Sequence, residues 1–581
     1  MRKQWKKYVA ITTITAALLT GCGSNQSSGT TTATSFSTSQ VVVDKEFSDR
    51  DLDSSYDDST AVHITLNGSS IETDSESGVT IDKNTLTITK EGTYVISGTL
   101  DNGNIIVEAD DTAKVQIVLN GVTITSSDYA PIYVKTADKV FITLAENTKN
   151  SLTDGSTYVQ TDDTSVDGVI FSKADLTLNG QGTLTITGNY KHGIASKDDL
   201  IITSGTYNIT SVKDGLNGKD AVKIKDGTIT ISVTDGNGIQ SKNGDDTTKG
   251  YVYIGGGTVN IKNSREGIEG TAIVIEDGTI DIVANDDGLN ATSGSSTTTG
   301  SSSTDTSDTT TTASDMSATA DTAVSTISTV ATTSSSDTTT SSDTTNVPAN
   351  SDMAPPSDNA GQFNKDDGGF GGKGGGAFEN DTNAYLSISG GTITVNAAGD
   401  GIDSNGSVII SGGTTLVNGP TDSGNAGFDY NGTADITGGT ILVAGSAGMA
   451  QGFSDTSTQY SILYNFSSVS EAGTEVTLTD ADGNKVYSYT PTKQYQSIVI
   501  STPDLEKDAT YTLTSGSQSE EITLSSVVTS GGEQSVGGPG GGGHGGRGMK
   551  NFQDGGQAPD MSGTDSTDTT DSGSSNSGSS N

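Results

Sequence analysis

Cysteine is nearly absent from this chain of 581 residues: Cys22 stands alone, so no internal disulfide can staple the fold. Basic residues are scarce as well, 30 against 72 acidic ones, which leaves a formal charge of −42 at pH 7. A surface of that sign repels a phosphate backbone and excludes nucleic acid as a partner. Only 30% of the residues are hydrophobic, too few for one thick core. No segment of useful length carries a helical period, and no apolar run is long enough to span a bilayer comfortably. A nucleophile elbow, a phosphate-binding loop and a dinucleotide fingerprint are missing from any usable context. His63, His192 and His544 are isolated, which rules out a zinc set.

The lone cysteine has a context of its own. Arg2, Lys3, Lys6 and Lys7 precede a short apolar run, Tyr8 to Leu19, and then Leu19-Thr20-Gly21-Cys22. This is the layout of a secretory signal (residues 1–21) that ends in a lipobox-like motif. Lipidation of Cys22 is expected, with the protein held by its acyl chains on the extracellular face of a bacterial membrane. Low-complexity segments follow at 22–40 (Ser/Thr-rich), 293–382 (Ser/Thr/Asp-rich, then Gly-rich) and 531–581 (Gly/Ser-rich). None has the apolar content to build a core, and all three are expected to be disordered.

The remainder repeats. Aligned on Gly-Thr it reads QGTLTITGNYKHGIAS, SGTYNITSVKDGLNG, DGTITISVTDGNGIQS, GGTVNIKNSREGIEG, DGTIDIVANDDGLNA and GGTITVNAAGDGIDS, with two looser copies after them. The glycines fall at 182, 205, 227, 257, 278, 391, 413 and 439, at spacings of 23, 22, 30, 21, 113, 22 and 26. The longer gaps contain GDDTTK (244–249) and the 293–382 block, both at the same place in the repeat. Short period-2 strands separated by Gly, Asn and Asp turns cannot bury a face alone and must stack on their neighbours. The fold class that follows is all-β: a parallel β-helix of about 22 residues per coil over 41–292 and 383–454. Residues 455–530 lose the period and read as a small β cap on its open end. A sandwich of antiparallel hairpins is the alternative, and it would need no fixed period.

Stacking sets equivalent residues about 4.8 Å apart. The residues before the turn glycines read His192, Asp214, Asn237, Glu266, Asp287, Asp400 and Ala426; two after them stand Ala195, Asn217, Gln240, Glu269, Asn290, Asp403 and Asp429. Stacked carboxylates repel, and a hard cation with oxygen ligands removes the conflict, which points to Ca²⁺. Asp286, Asp287 and Asn290 facing Asp400 and Asp403 make the richest candidate ligand set; Asp214 with Asn217 and Glu266 with Glu269 are poorer ones. Turn chemistry and amide ladders offer a metal-free account of the same residues. Lys191, Lys213 and Arg265 border the acidic column as candidate bases of a lyase, or as simple counter-charges. Tyr207, Tyr251, Tyr253, Tyr385 and Tyr430 are candidate sugar platforms, or packing residues.

The segment before the repeats is more distinctive: HITLNGSSI at 63–71, then Gly92-Thr93-Tyr94-Val95, Leu119-Asn120-Gly121-Val122 and Asn150-Ser151-Leu152-Thr153-Asp154. With SYTPTKQYQSIVISTPDLEKDATYTL at 488–513, it resembles a family of bacterial secreted carbohydrate-binding proteins. The resemblance spans most of 60–290 and 383–520. It implies a right-handed parallel β-helix of pectate-lyase type, bound calcium, and binding of cellulose-like or polygalacturonate-like glycans without catalysis. The expected protein is thus a monomeric, lipid-anchored polysaccharide binder. A calcium-dependent polysaccharide lyase and a structural adhesin are the alternatives. The ligand columns come from the stacking, not from the resemblance.

Overall fold

The computed structural model describes residues 41–293 and 380–533. Cys22, the signal, the first low-complexity segment and nearly all of the 293–382 and 531–581 blocks lie outside the described residues.

Three parallel ladders run through the repeats. Ladder A holds the Gly-Thr strands, from Lys149–Thr153 and Thr183–Gly188 on through Thr392–Ala397. Ladder B holds short strands after the acidic turns, such as Leu216–Gly218, Leu289–Ala291, Ile402–Ser404 and Phe428–Tyr430. Ladder C holds the strands between B and the next Gly-Thr, such as Ala221–Ile224, Tyr251–Ile254 and Tyr385–Ile388. In ladder A the register is the one the Gly-Thr alignment gives: Thr183, Thr206, Thr228, Thr258, Thr279, Thr392, Thr414 and Thr440 pair in sequence, coil on coil. The chain is a parallel β-helix.

Alternation explains why. In ladder A, Leu184 and Ile186, Ile229 and Ile231, Ile280 and Ile282, and Ile393 and Val395 point inward and are buried. Each such side chain contributes roughly 1.5–3 kcal/mol when removed from water. The glycine before each threonine turns the corner between ladders C and A. Gly257 sits at φ +83°, and a Cβ there would meet the Gly227 carbonyl oxygen at 2.8 Å. A side chain would therefore strain the turn and collide with the coil below.

Both insertions leave at the corner between ladders B and C. GDDTTK lies between Ile239–Ser241 and Tyr251–Ile254, and the long block between Leu289–Ala291 and Tyr385–Ile388. The coils on either side of the long block still pair directly, Asn290 with Asp403 and Ile273 with Leu386.

Antiparallel pairing closes both ends, which protects the edges of the parallel ladders. At the start, Val62–Gly68 folds back on Ser70–Thr73, and Val79–Asp82 on Thr85–Ile88. At the far end, Tyr495–Ser501 runs antiparallel both to the last coil and to Ser461–Ser470. A four-stranded antiparallel sheet (Lys485–Tyr489, Val476–Thr479, Thr510–Ser515, Gln518–Thr523) completes this cap. The cap has its own core of Ile462, Phe466, Leu478, Tyr495, Ile500 and Leu513.

Residues 41–53 form no coil. They lie as a strap across the outer face of ladder C. Val41, Val43 and Phe47 cover Ala221, Tyr251, Tyr253, Ala272 and Val274. Lys223, 2% exposed, reaches Asp44 Oδ2 at 3.0 Å and the Glu46 carbonyl at 2.5 Å. Further along, a single helical turn, Asp49–Leu52, is capped by Ser48. It places Asp51 against Lys139 Nζ at 2.7 Å and Thr177 Oγ1 at 2.6 Å.

Candidate metal centre and the face of ladder B

The local grammar of the acidic phrase has a packing cause. Gly288 follows Asp287, and a Cβ on it would lie 2.3 Å from Val395 Cγ1 and 2.5 Å from the Gly401 carbonyl oxygen. Only glycine lets the turn approach the next coil, and its neighbours are thereby forced outward. The result is two outward columns. Gly267 N donates to the Asp287 carbonyl at 2.9 Å and Gly288 N to that of Asp400 at 2.8 Å, which sets the first. The second follows the ladder B register: Asn217, Gln240, Glu269, Asn290, Asp403 and Asp429 each pair with the next.

The first half of this face satisfies itself. Asn217 Nδ2 donates to Asp214 Oδ2 at 2.6 Å, and Asn237 N to Asp214 Oδ1 at 2.9 Å. His192 Nδ1 stands 3.2 Å from Asp214 Oδ2. Burial raises the Asp214 carboxyl, yet His192 and these donors together hold it below the usual carboxylate range. Glu269 accepts from Asn237 Nδ2 and Gln240 Nε2, each at 2.5 Å, and from Lys242 Nζ. Glu266 is pushed up by burial and by Glu269, while Arg265 Nη2 at 2.9 Å opposes that rise. Asp214, Asn217, Glu266 and Glu269, expected as poorer ligand pairs, are thus largely engaged by protein donors.

The second half is different. Asp400, Asp403 and Asp429 each offer a carboxylate oxygen, and these lie within 4.8 Å of one another. Backbone amides fix two of the carboxylates: Ala426 N to Asp400 Oδ1 at 2.6 Å, and Asp400 N to Asp287 Oδ1 at 2.7 Å. Asp429 Oδ1 accepts from Tyr430 N at 2.8 Å and from Gln451 Nε2. Burial pushes Asp287 up to about 6 and Asp400 up to about 7. Asp403 is pushed up to about 8 by burial, then by Asp287, Asp400, Asp429 and Glu266, all of them carboxylates. Asn290, 9% exposed, turns its Nδ2 toward Asp287 Oδ2 at 3.4 Å, and its buried Oδ1 has no hydrogen-bond partner.

The donor set is all oxygen, carboxylate and amide, with one orphaned buried amide oxygen. That suits a hard divalent cation such as Ca²⁺, and Asp287, Asn290, Asp400, Asp403 and Asp429 are the residues to hold it. Asp286 falls at the margin, its side chain half exposed and 3.8 Å from Arg265 Nη1. Asp429 stands in the predicted column, though it is absent from the richest set named from sequence. A second acidic group, Asp175, Asp198 and Asp199, lies at the corner leading into ladder C. Sequence reasoning missed it, although Lys173-Ala174-Asp175 and Lys197-Asp198-Asp199 occupy matching positions. Lys249, 2.7 Å from Asp220, supplies positive charge beside it.

The other candidates resolve as structure. Lys213 pairs with Asp235 at 2.7 Å, and Arg265 with Glu266. Tyr207 is fully buried in the core; Tyr251 and Tyr253 lie under the strap. Tyr385 donates to the Val41 carbonyl at 3.1 Å and Tyr430 to the Gly452 carbonyl at 2.7 Å. Of the two readings these tyrosines allowed, packing is the one observed: the strap and the core have taken them.

Residues 82–364 match a sequence family described as carbohydrate-binding domain-containing protein. A protein of Acetivibrio thermocellus with that same name is 36% identical over 148 residues, or 25% of this chain and 52% of the relative. The chain therefore spans about half the length of the curated relative it matches. A solved structure, titled as the polysaccharide lyase-like protein from C. thermocellum in a gadolinium derivative, is 33% identical. The match covers 39% of this chain and 91% of that one, with a TM-score of 0.38.

Proposed function

We propose, from the premise that residues 82–364 belong with the carbohydrate-binding-domain family, that this chain binds polysaccharide non-catalytically on a calcium-supported β-helix. One observation carries the calcium part: the Asp400, Asp403 and Asp429 oxygens converge beside a buried Asn290 oxygen that has no hydrogen-bond partner among the described residues. A bound cation there would neutralise a column that otherwise repels itself and would offer an open position to the carboxylate of an acidic glycan. On a chain of −42, that bridge offsets the repulsion a polyuronate would meet at this column. Binding is favoured over a lyase reaction because Lys213 and Arg265, two of the three candidate bases, are held by Asp235 and Glu266. Cys22 would anchor the protein as a lipoprotein at the outer face of the bacterial membrane, as a monomer that binds plant-cell-wall-type glycan, cellulose-like or pectin-like. Among the described residues no helix is long and apolar enough to cross a membrane.

The test is retention of the protein on insoluble cellulose, xylan and polygalacturonate, with Ca²⁺ and with chelator, while near-ultraviolet absorbance is followed for unsaturated product. Retention on polygalacturonate that chelator abolishes, without absorbance growth, is the expected result. Rising absorbance would replace binding by lyase chemistry, and retention on no glycan would leave a structural rod.

A further inference from the structure

Several cations among the described residues sit tight against one carboxylate. Lys139 meets Asp51, Lys213 meets Asp235 and Lys249 meets Asp220, each at 2.7 Å, and Lys135 meets Glu108 at 2.8 Å. Around Asp167 three basic side chains share one carboxylate at longer range. Lys191 Nζ, His192 Nε2 and Lys197 Nζ stand 3.9, 3.8 and 4.0 Å from the single carboxylate of Asp167. None is at hydrogen-bond distance. Asp167 Oδ1 is buried and accepts no hydrogen bond. Both lysines keep more than 40% of their side chains exposed. His192 also leans on Asp214, so its position is set from the other side. Two exposed ammonium groups are thus available to an incoming anion beyond what Asp167 uses.

An aromatic shelf adjoins them. Tyr190, half-buried, stacks on Tyr158 with centroids 4.4 Å apart and planes 20° from parallel. Tyr158 is fixed from below, its hydroxyl donating to Asp154 Oδ2 at 2.8 Å and to the Gly168 carbonyl at 3.0 Å. The Lys191 ammonium lies 5.5 Å from the Tyr190 centroid, and that of Lys197 lies 5.2 Å from the Phe171 centroid. Phe171 and Ala195 occupy the same ladder B column that continues to Asn290 and Asp403. Five strand spacings separate Ala195 from Asp403, about 24 Å along one face. The patch therefore lies beside the covered end of the column whose other end carries the carboxylates.

A rigid tyrosine beside paired ammonium groups recognises a molecule with an apolar ring face and a carboxylate at its rim, which is the chemistry of a uronic acid. We propose that Tyr190, Lys191 and Lys197 form a subsite for one uronate residue of an acidic polysaccharide. The inference rests on the glycan-binding reading and supplies it with a second contact, independent of the cation. The test is calorimetric titration of the full chain, in Ca²⁺, with oligogalacturonate and with a neutral cello-oligosaccharide. Tyr190→Ala and the double variant Lys191→Ala/Lys197→Ala are expected to weaken oligogalacturonate binding about tenfold each, with melting temperature retained and neutral-sugar binding unmoved. Lys191→Arg/Lys197→Arg is expected to retain binding. Wild-type affinity for oligogalacturonate in both alanine variants would overturn the subsite while leaving glycan binding intact. Equal loss for acidic and neutral sugars would also overturn it. No binding of either sugar by the wild type would remove the glycan reading and the subsite together.

Discussion

Glu266 and Glu269 lie one coil below Asp287 and Asn290 and two below Asp400 and Asp403, in the same columns. The two regions share backbone, spacing and charge sign, and differ in what surrounds them. Around the glutamates, Asn237, Gln240, Lys242 and Arg265 donate to or face the carboxylates. Around Asp403 the charged groups are carboxylates, and the nearest amide, Asn290, presents an oxygen with no donor. A stacked acidic column is thus not a metal site in itself; protein donors decide which stretch is closed and which remains open to a cation. Acid count alone does not separate the two stretches, because it does not see the donors.

The largest effect that would break this comparison is loss of calcium response. Ca²⁺ is expected to raise the melting temperature of the wild type, and Asp400→Asn/Asp403→Asn to abolish that rise, read by calorimetry with and without chelator. Glu269→Gln sharpens the contrast: it lowers stability but leaves the calcium-induced rise in place, because its carboxylate already has protein donors. Next comes the strap. Asp51→Ala leaves Lys139, 12% exposed at its side chain, without its carboxylate, and is expected to cost about 3–5 kcal/mol in denaturant unfolding. Gly288→Ala should cost about 1–3 kcal/mol, since its Cβ falls on Val395 and the next coil.

The pH dependence separates the regions again. In chelator, Asp287, Asp400 and Asp403 titrate in the folded protein at about 6, 7 and 8, above their unfolded value near 4. A raised folded pKa supports the fold fully below that unfolded value, and the support is lost as pH rises through 6 to 8. Melting temperature in chelator is therefore expected to fall between pH 5 and pH 9. Saturating Ca²⁺, which binds the ionised form, is expected to cancel the fall. A parallel decline in both conditions would place the titration elsewhere.

Much of this was legible in the sequence. The Gly-Thr alignment gave the ladder A register coil by coil, and the turn glycines gave both outward columns, because a solenoid turns sequence period directly into contact. Both insertions fell where the shared position in the repeat put them. The strap was not legible: Asp44 meets Lys223 and Asp51 meets Thr177 across more than a hundred residues, and nothing periodic in 41–53 announces it. For the same reason the sequence does not show what Tyr251 and Tyr253 pack against. The Asp167 cluster escaped because its lysines belong to a turn and to a ladder corner, and only the loop bearing Tyr158 brings them into one patch.

The most direct measurement is calcium titration of the chelator-treated chain by isothermal calorimetry, wild type beside Asp403→Asn and Glu269→Gln. Saturable binding to the wild type and to Glu269→Gln, and its loss in Asp403→Asn, is the expected result. Binding that survives Asp403→Asn but disappears in Glu269→Gln would contradict the account, and would place the cation at the glutamates.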